Sequence, residues 1–186
     1  MNDEEKLEKL EKIDELNLNF SVEELKTVPE LNFHSYIQIA EHLGKKIEEK
    51  YGIPKIVPLI QSAHESRNGN SGLARNHCNL FGIVATDSWK SKGGAIALMQ
   101  TWEVIKGKRI DLHREFRAYH DWFESFEDWA RIITTLSVYK KAYEFFKQNS
   151  IREGITEMAK VYATDPAYAR KLLEVYGLVE KHLEIK

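Results

Sequence analysis

The stretch at about residues 81–119 interrupts an otherwise helical pattern, and this interruption constrains the possible folds most strongly. Residues 99–105 are rich in β-favouring side chains, and residues 106–108 suit a tight turn. Residues 109–119 then alternate loosely between apolar and polar side chains, as in a second strand. These features predict a small β-hairpin lobe inserted into a helical domain, which gives an α+β fold with mostly α structure.

Two helices are predicted before this lobe. The first covers residues 34–50 and should stop at Gly52, because glycine commonly ends a helix. The second must begin between Pro54 and Pro58, since proline suits the first turn of a helix but not its interior. It is expected to run to Ser66.

Helices are also predicted after the lobe, and the last of them is expected over residues 166–183. Its start is indicated by an acidic cap followed directly by proline. The candidate helix caps along the chain are Ser21 with Glu24, Ser125 with Asp128, Ser150 with Glu153, and Asp165 before Pro166.

The chain divides into two parts by its charge pattern. Residues 1–33 are predicted to form a charged N-terminal helical extension, in which Leu7, Leu10, Ile13 and Leu16 recur among Glu and Lys. Residues 34–184 are predicted to form the main domain. A cleft between its helices and the β lobe would suit a long polymer.

Composition excludes several classes of function. The 186 residues are 42% hydrophobic, which is enough for one domain with a core. The net charge of −2 offers no basic stripe, so no nucleic-acid partner is expected. Cys78 is the single cysteine, and neither it nor His77 has the spacing of a metal site, so no metal is expected. No segment is long and apolar enough for membrane insertion.

Glu65 is the leading candidate for chemistry. Ile56, Ile60 and Ala63 recur at helical spacing, which puts Glu65 on the last turn of a packed helix before a glycine-rich loop. A carboxyl group among apolar neighbours can hold its proton near neutral pH. Cleavage of a glycosidic bond needs such an acid to protonate the departing oxygen. The alternative is a solvent-exposed glutamate at a helix end.

A glycosidase generally needs a second carboxylate across the scissile bond. Glu103 is the best candidate, because it lies on the hairpin expected to face the Glu65 helix. It could instead be an ordinary surface residue of the strand. The rival acids are Asp87, Asp111, Glu115 and Asp165.

Several motifs carry a family resemblance over residues 34–184. Together they resemble the bacterial cell-wall N-acetylglucosaminidase family of autolysins, flagellar peptidoglycan hydrolases and phage lysins. The motifs are Glu65-Ser66, Gly69, Ser71 with Leu73-Ala74, Asn79-Leu80-Phe81-Gly82-Ile83, Phe116-Arg117-Ala118-Tyr119, and Tyr162-Ala163-Thr164-Asp165-Pro166-Ala167-Tyr168-Ala169.

The resemblance implies a lysozyme-like fold and an endo-β-N-acetylglucosaminidase that cuts the β-1,4 bond after N-acetylglucosamine in peptidoglycan. It implies Glu65 as general acid, Glu103 as second acid, and Tyr162 as an aromatic hydroxyl beside the acid. The residues expected to line the sugar subsites are Asn79, Phe81, Tyr119, Tyr139 and Tyr168. Each has a structural alternative: Asn79 could hold a turn, Phe81 could belong to the core, and the tyrosines could simply pack.

One departure from the family pattern lies next to the acid. Family members usually have Gly-Trp-Gly after Glu-Ser, whereas this chain has Arg67-Asn68-Gly69. Loss of the tryptophan could leave Glu65 more hydrated, and a nearby cation would favour its ionised form. Arg67 could equally point to solvent or toward a carboxylate of a peptide stem.

The expected partner is the glycan strand of peptidoglycan, with no cofactor and with a monomeric chain. The alternatives are a lytic transglycosylase and a catalytically weak glycan-binding module of the same fold. An enzyme of this kind acts in the cell wall, the periplasm or outside the cell. The acidic N-terminus does not resemble a secretory signal, so export is expected to be unconventional or the chain to be a trimmed product.

Overall fold

The computed structural model describes residues 19–105 and 108–184, and it describes no side chains for residues 101–112 and 184. The first 18 residues of the predicted N-terminal extension, with Leu7, Leu10, Ile13 and Leu16, lie outside these ranges. The helices are α1 (Val22–Leu25), α2 (Phe33–Tyr51), α3 (Ile56–Ser66), α4 (Gly72–His77), α5 (Asp87–Ser91), α6 (Trp122–Thr135), α7 (Lys140–Lys147), α8 (Ile151–Tyr162) and α9 (Tyr168–Glu184). The strands are β1 (Ile96–Ile105) and β2 (Lys108–Arg117), and a 3₁₀ turn covers Ser137–Tyr139.

Helices α2 and α3 confirm the sequence prediction closely. The side chain of Asn32 caps α2 by accepting the Ser35 N–H at 2.9 Å. Gly52 ends α2 in the left-handed conformation, with φ of 66°. Helix α3 begins between the two prolines and is buried along nearly its whole length. It packs between α2 and α9, so its C-terminal turn is held from two sides.

The hairpin is antiparallel, with a register that runs from Ile96 opposite Arg117 to Ile105 opposite Lys108. The predicted strands are confirmed, although β1 begins three residues earlier than expected. The base of the hairpin is joined to the loop after α4. There the N–H of Ala85 donates to Glu115 O at 3.0 Å and the N–H of Arg117 donates to Ile83 O at 2.9 Å. This loop therefore connects the β lobe to the helical lobe.

Of the first two predicted caps, the structure confirms one and contradicts the other. The box of Ser21 and Glu24 is confirmed at α1. The prediction for Ser125 with Asp128 was wrong, because α6 starts at Trp122 behind Asp121. Asp121 accepts the N–H of Glu124 at 2.8 Å, which satisfies the first turn earlier in the chain.

The two remaining caps are partly as expected. Ser150 precedes α8 but makes no capping bond with its side chain. The carboxylate of Asp165 accepts the N–H of Ala167 at 2.9 Å. Regular helix begins only at Tyr168, two residues later than predicted.

Residues 19–33 are attached to the domain by buried side chains. Phe20, Leu25 and Leu31 belong to the main hydrophobic core. The carboxamide of Asn70 pairs with the backbone of Leu31 through bonds of 2.9 and 2.7 Å. A domain boundary at residue 33 stays a prediction. Within the described part of the chain, no helix combines the length and apolar character needed to cross a bilayer.

Candidate active site

The turn after α3 holds Glu65 in place. The hydroxyl of Ser66 donates to Ser62 O at 2.5 Å and accepts the N–H of Gly69 at 2.7 Å. Gly69 has φ of 76°, and a Cβ there would lie 2.8 Å from the Trp122 ring. Only glycine fits this position without strain. The helix end and the loop are thus locked together directly beyond Glu65.

Glu65 itself is largely shielded from water. The phenol of Tyr168 donates a short hydrogen bond to Glu65 Oε1. Burial raises the pKa of the Glu65 carboxyl above its usual range, and the Tyr168 hydrogen bond lowers that pKa to a lesser extent. Arg67 is exposed to solvent at the helix end. The carboxyl is therefore suited to hold a proton despite the loss of the family's tryptophan.

A buried chain of hydrogen bonds lies behind Glu65. The indole Nε1–H of Trp129 donates to Gln61 Oε1 at 2.8 Å, and Gln61 Nε2 donates to the Tyr168 hydroxyl at 3.0 Å. An indole can only donate, so the orientation of the Gln61 amide is determined. Tyr168 accepts from that amide and directs its own proton to Glu65 Oε1.

Sequence reasoning missed both Gln61 and Trp129. Gln61 precedes Glu65 by four residues, so it lies on the same face of the helix, and this spacing could have identified it. Trp129 comes from α6, and no local pattern places it beside Gln61.

Tyr162 lies beside this chain, with its ring stacked on that of Tyr168 at 6.1 Å between centroids. Its hydroxyl donates to Phe81 O at 2.6 Å. Burial, and next the negative charge of Glu65, raise the pKa of the Tyr162 phenol well above its usual value. The structure therefore brings Tyr162, Tyr168 and Glu65 together, with Tyr168 rather than Tyr162 bonded to the acid.

Asn79 and Phe81 have structural roles in this arrangement. Asn79 accepts from the N–H of Phe81 at 3.3 Å and of Ile83 at 3.1 Å. Its amide donates to Ile83 O at 3.0 Å and Arg117 O at 2.8 Å. Phe81 is fully buried and stacks on Trp129 at 5.2 Å. The structure thus places both side chains in the core, where they shape the loop beside Glu65, rather than on the surface of the cleft.

Tyr119 and Tyr139 are nearly buried as well. The Tyr119 hydroxyl donates to Asp128 Oδ2 at 2.8 Å, and burial raises the pKa of this phenol. The ring of Tyr139 lies 6.4 Å from that of Tyr162, between centroids. Tyr139 therefore packs behind Tyr162 and contacts the site through that ring.

Glu103 is paired with Ile110 in the backbone of the hairpin, but its side chain lies outside the described residues, as does that of Asp111. The other rival acids have cationic partners. Lys90 Nζ lies 3.1 Å from Asp87 and 2.8 Å from Glu115, and Lys171 Nζ lies 2.7 Å from Asp165. Among the residues that the structure describes, no cluster of three or more His, Cys, Asp or Glu has the arrangement of a metal site.

Comparison with known proteins identifies the family. The family model described as mannosyl-glycoprotein endo-beta-N-acetylglucosaminidase matches residues 41–180. Exo-glucosaminidase LytG of Bacillus subtilis is 36% identical over 137 residues, which cover 72% of this chain and 46% of that protein. A probable N-acetylmuramidase of Lactococcus lactis is 29% identical over 143 residues, covering 74% of this chain and 31% of that protein.

The fold agrees with this match. The crystal structure of a peptidoglycan hydrolase mutant from Sphingomonas superimposes with a TM-score of 0.66 at 25% identity, covering 82% of this chain and 99% of that one. The described residues thus have the mostly helical fold with a two-stranded hairpin that was expected. The chain spans less than half the length of the two curated relatives. Because the family model covers most of the sequence, the chain belongs to the glucosaminidase family.

Proposed function

We propose that this chain hydrolyses the glycan strands of peptidoglycan, with Glu65 as the general acid and the β-1,4 bond after N-acetylglucosamine as the bond cleaved. The observation that carries this proposal is the shielded Glu65 carboxyl, whose pKa is raised by burial. Membership of the glucosaminidase family supports it. The solved relative from Sphingomonas is named a peptidoglycan hydrolase. The place of action proposed is accordingly the cell wall, with the chain working as a monomer.

The hydrogen-bond chain behind Glu65 supports one position for the acidic proton. Tyr168 donates to Oε1, so the carboxyl proton resides on Oε2. Oε2 faces Gly82, where a Cβ would come to 3.7 Å of this oxygen. With no side chain there, position 82 does not cover Oε2, and we propose that Oε2 gives its proton to the glycosidic oxygen.

Proton transfer changes the strength of the Tyr168 hydrogen bond. As Oε2 gives its proton to the departing sugar oxygen, Glu65 becomes a carboxylate. A hydrogen bond to a carboxylate is stronger than one to a neutral acid. Tyr168 therefore stabilises the transition state more than the ground state, which is the requirement for catalysis.

Glu103 is proposed as the second acid. Position 103 lies on β1, and its backbone pairs with Ile110. On the same strand, Ala97 is buried, and Met99 lies 3.8 Å from a Cβ built on Gly72 in the helical lobe. A separation of about 5–5.5 Å between the carboxyls of Glu65 and Glu103 predicts retention of configuration, and about 6.5–9.5 Å predicts inversion.

Tyr162 is proposed to act on the substrate side of the acid. Its hydroxyl donates its proton in a hydrogen bond to Phe81 O. The phenol oxygen therefore keeps lone pairs that can accept from a water or from the substrate acetamide. If no second carboxylate acts, that acetamide could serve as internal nucleophile.

A second candidate is cleavage after N-acetylmuramic acid, which the name of the Lactococcus relative favours. The test is digestion of purified peptidoglycan, followed by reduction and mass spectrometry of the fragments. Reduced N-acetylglucosamine at the new ends supports our proposal, whereas reduced muramic acid supports the alternative. Anhydro-muramic ends would instead identify a lytic transglycosylase.

The assignment of Glu65 is tested on the same substrate. Glu65→Gln should lower the rate by about 10²–10⁴-fold, the usual contribution of a general acid. The matched control is Glu49→Gln, which changes an exposed glutamate on α2 and should keep full activity. Wall clearing by the Glu65→Gln variant at the wild-type rate would remove Glu65 from its proposed role.

A further inference from the structure

A cavity of about 420 Å³ lies between α6 and the segment formed by α5 and the loop after it, with Arg117 of β2 in its wall. Glu65 is not among its lining residues. We call this cavity the cationic pocket. The lining residues used below are Trp89, Lys92, Arg117, Asp128, Arg131 and Thr135. Its volume falls in the range typical of ligand sites, about 300–1,000 Å³.

One wall of the cationic pocket is rigidly built. The indole Nε1–H of Trp89 donates to Ala95 O at 2.8 Å. The guanidinium of Arg117 lies 4.6 Å from the centre of the Trp89 ring. A Cβ on Gly94 would lie 2.2 Å from this ring, so glycine is needed for the loop to close over it. The wall is therefore shaped before any ligand arrives.

The charge of the cationic pocket is positive. Three cationic side chains line it, from Lys92, Arg117 and Arg131, against the single carboxylate of Asp128. That carboxylate is already engaged, at 2.6 Å from Arg117 Nη1 and 2.8 Å from the Tyr119 hydroxyl. The Nε–H of Arg117 is buried without a hydrogen-bond partner among the described residues.

Nearby acids lie closest to cations other than Lys92 and Arg131. Lys90 holds both Asp87 and Glu115, at 3.1 and 2.8 Å. Glu127 lies closest to Lys50, and its 3.7 Å pair with Arg131, whose side chain is 57% exposed, contributes little binding energy. The cationic pocket is therefore left with an excess of positive charge in a chain whose net charge is −2.

The cationic pocket is close enough to Glu65 for one substrate strand to reach both. Gly82 lies next to Glu65 Oε2, and Thr86 lines the pocket. Four residue steps separate them, which span at most about 14 Å. A bound glycan strand with its attached peptide can cover this distance.

We propose that the cationic pocket binds a free carboxylate of the peptide stem that the glycan strand carries, and so favours stem-bearing over bare glycan. This inference rests on the proposed hydrolysis of peptidoglycan. In an intact strand the lactyl carboxyl of muramic acid is bound in the amide link to the stem, so the sugars offer no anion, whereas peptide stems end in carboxylates. Lysine and arginine bind a carboxylate through charge-assisted hydrogen bonds, and the hydroxyl of Thr135 adds a donor.

The first test compares two substrates made from one wall preparation. Walls are freed of phosphate-containing polymers. Half of the material is stripped of peptide stems with an amidase, and the lactyl carboxyls of muramic acid that this exposes are converted to amides. The wild-type chain should have a kcat/KM about 3- to 10-fold higher on the stem-bearing glycan, the effect expected of two exposed ion pairs. High salt should reduce this preference by screening.

Paired variants locate the effect. Lys92→Gln with Arg131→Gln should abolish the preference and leave the rate on bare glycan unchanged. The control combines Lys26→Gln with Lys45→Gln. These lysines are also exposed, and they pair with the nearby acids Glu23 and Glu41. The control should keep the full preference. Equal wild-type rates on both substrates, or a preference retained without Lys92 and Arg131, would overturn the inference and leave the proposed function standing.

A binding measurement tests the cationic pocket without relying on hydrolysis, so it separates this inference from the proposed function. A free stem tetrapeptide, titrated into the labelled wild-type chain, should shift the NMR signal of the Trp89 indole N–H. The same peptide with amidated carboxyls should shift it much less. A signal that responds equally to both peptides contradicts the inference. Failure to cleave either glycan, by contrast, contradicts the proposed function.

Discussion

Two shielded carboxyls, Glu65 and Asp128, accept a phenolic hydrogen bond but differ in their second partner. Glu65 accepts from Tyr168, and Asp128 accepts from Tyr119 at 2.8 Å. Asp128 also faces the guanidinium of Arg117 at 2.6 Å. No cation is among the causes that shift the pKa of Glu65.

The difference explains why one carboxyl is suited to chemistry and the other to structure. Without a positive partner, burial favours the protonated form of Glu65. Beside a guanidinium, the charge of Asp128 is compensated, and the pair joins the hairpin base to α6. The nearest charge therefore distinguishes the two carboxyls, because Glu65 is shielded without a cation and Asp128 is held in an ion pair.

The largest expected effect comes from breaking the pair at Asp128. The side chains of Arg117 and Asp128 are only 14% and 9% exposed, so Asp128→Asn leaves a nearly buried guanidinium uncompensated. The loss in the free energy of unfolding should be about 3–5 kcal/mol. Urea denaturation measures it. The double variant Arg117→Met with Asp128→Leu should recover most of the stability, and a single variant as stable as wild type would show that the pair is not structural.

The next effect concerns the phenol that bonds to Glu65. Tyr168→Phe removes a hydrogen bond that strengthens when Glu65 becomes charged. Such a bond is worth about 1.5–3 kcal/mol to a charged group and about 0.5–1.5 kcal/mol to a neutral one, so the difference of about 1–1.5 kcal/mol should lower kcat roughly 5- to 10-fold. The Tyr168 bond lowers the pKa of Glu65, and its removal should raise that pKa further. Activity needs protonated Glu65, so the alkaline limb of kcat/KM should move to higher pH. Tyr143→Phe, at a phenol bound to Tyr51 O far from Glu65, is the control.

Gln61 tests whether the donor chain acts through Tyr168. Gln61→Met keeps the volume but leaves the Trp129 indole unpaired, which should cost about 1–3 kcal/mol of stability. The alkaline limb should shift in the same direction as in Tyr168→Phe but by less, because Tyr168 donates more weakly without the Gln61 amide. A stability loss with an unchanged pH profile would assign Gln61 to structure alone.

Glu65 itself should lower stability at neutral pH. The folded chain binds its proton more tightly than the unfolded chain, whose glutamate has a pKa near 4.5. The contribution of Glu65 protonation to the free energy of unfolding is complete below pH 4.5. It is lost as the pH rises through the pKa of Glu65 in the folded chain, which is higher. Glu65→Gln should therefore be more stable than wild type at pH 8, by about 1 kcal/mol, and equal to it at pH 4. Thermal unfolding at the two pH values measures this, and a gain that is larger at pH 4 would reverse the argument.

The smallest effect is expected at Arg67. Its side chain is exposed, so Arg67→Ala should change stability by less than about 0.5 kcal/mol. The alkaline limb of kcat/KM should stay in place. A clear shift of that limb to higher pH would show that Arg67 lowers the pKa of Glu65, which was one of the alternatives left open by the sequence.

Much of the fold could be predicted because its signals are local. Asn32 and Gly52 bound α2 through contacts within a few residues. The hairpin follows from its alternating strands and short turn. Where two local signals competed, prediction failed. Ser125 and Asp128 have the spacing of a cap, but Asp121 stands earlier, and Ser125 instead accepts the N–H of Leu80 at 3.1 Å in the core.

The sequence by itself determined the helix that carries Glu65 and ends at Ser66, the position of the β lobe and the motifs of the family, because each depends on neighbours along the chain. Only the tertiary structure decided which phenol bonds to Glu65, since Tyr168 lies 103 positions away. It likewise decided the contact of Trp129 with Gln61, across 68 positions, and the pairing of Asp128 with Arg117. The proton affinity of a carboxyl depends on burial and on the nearest charge, and the packing of distant segments sets both.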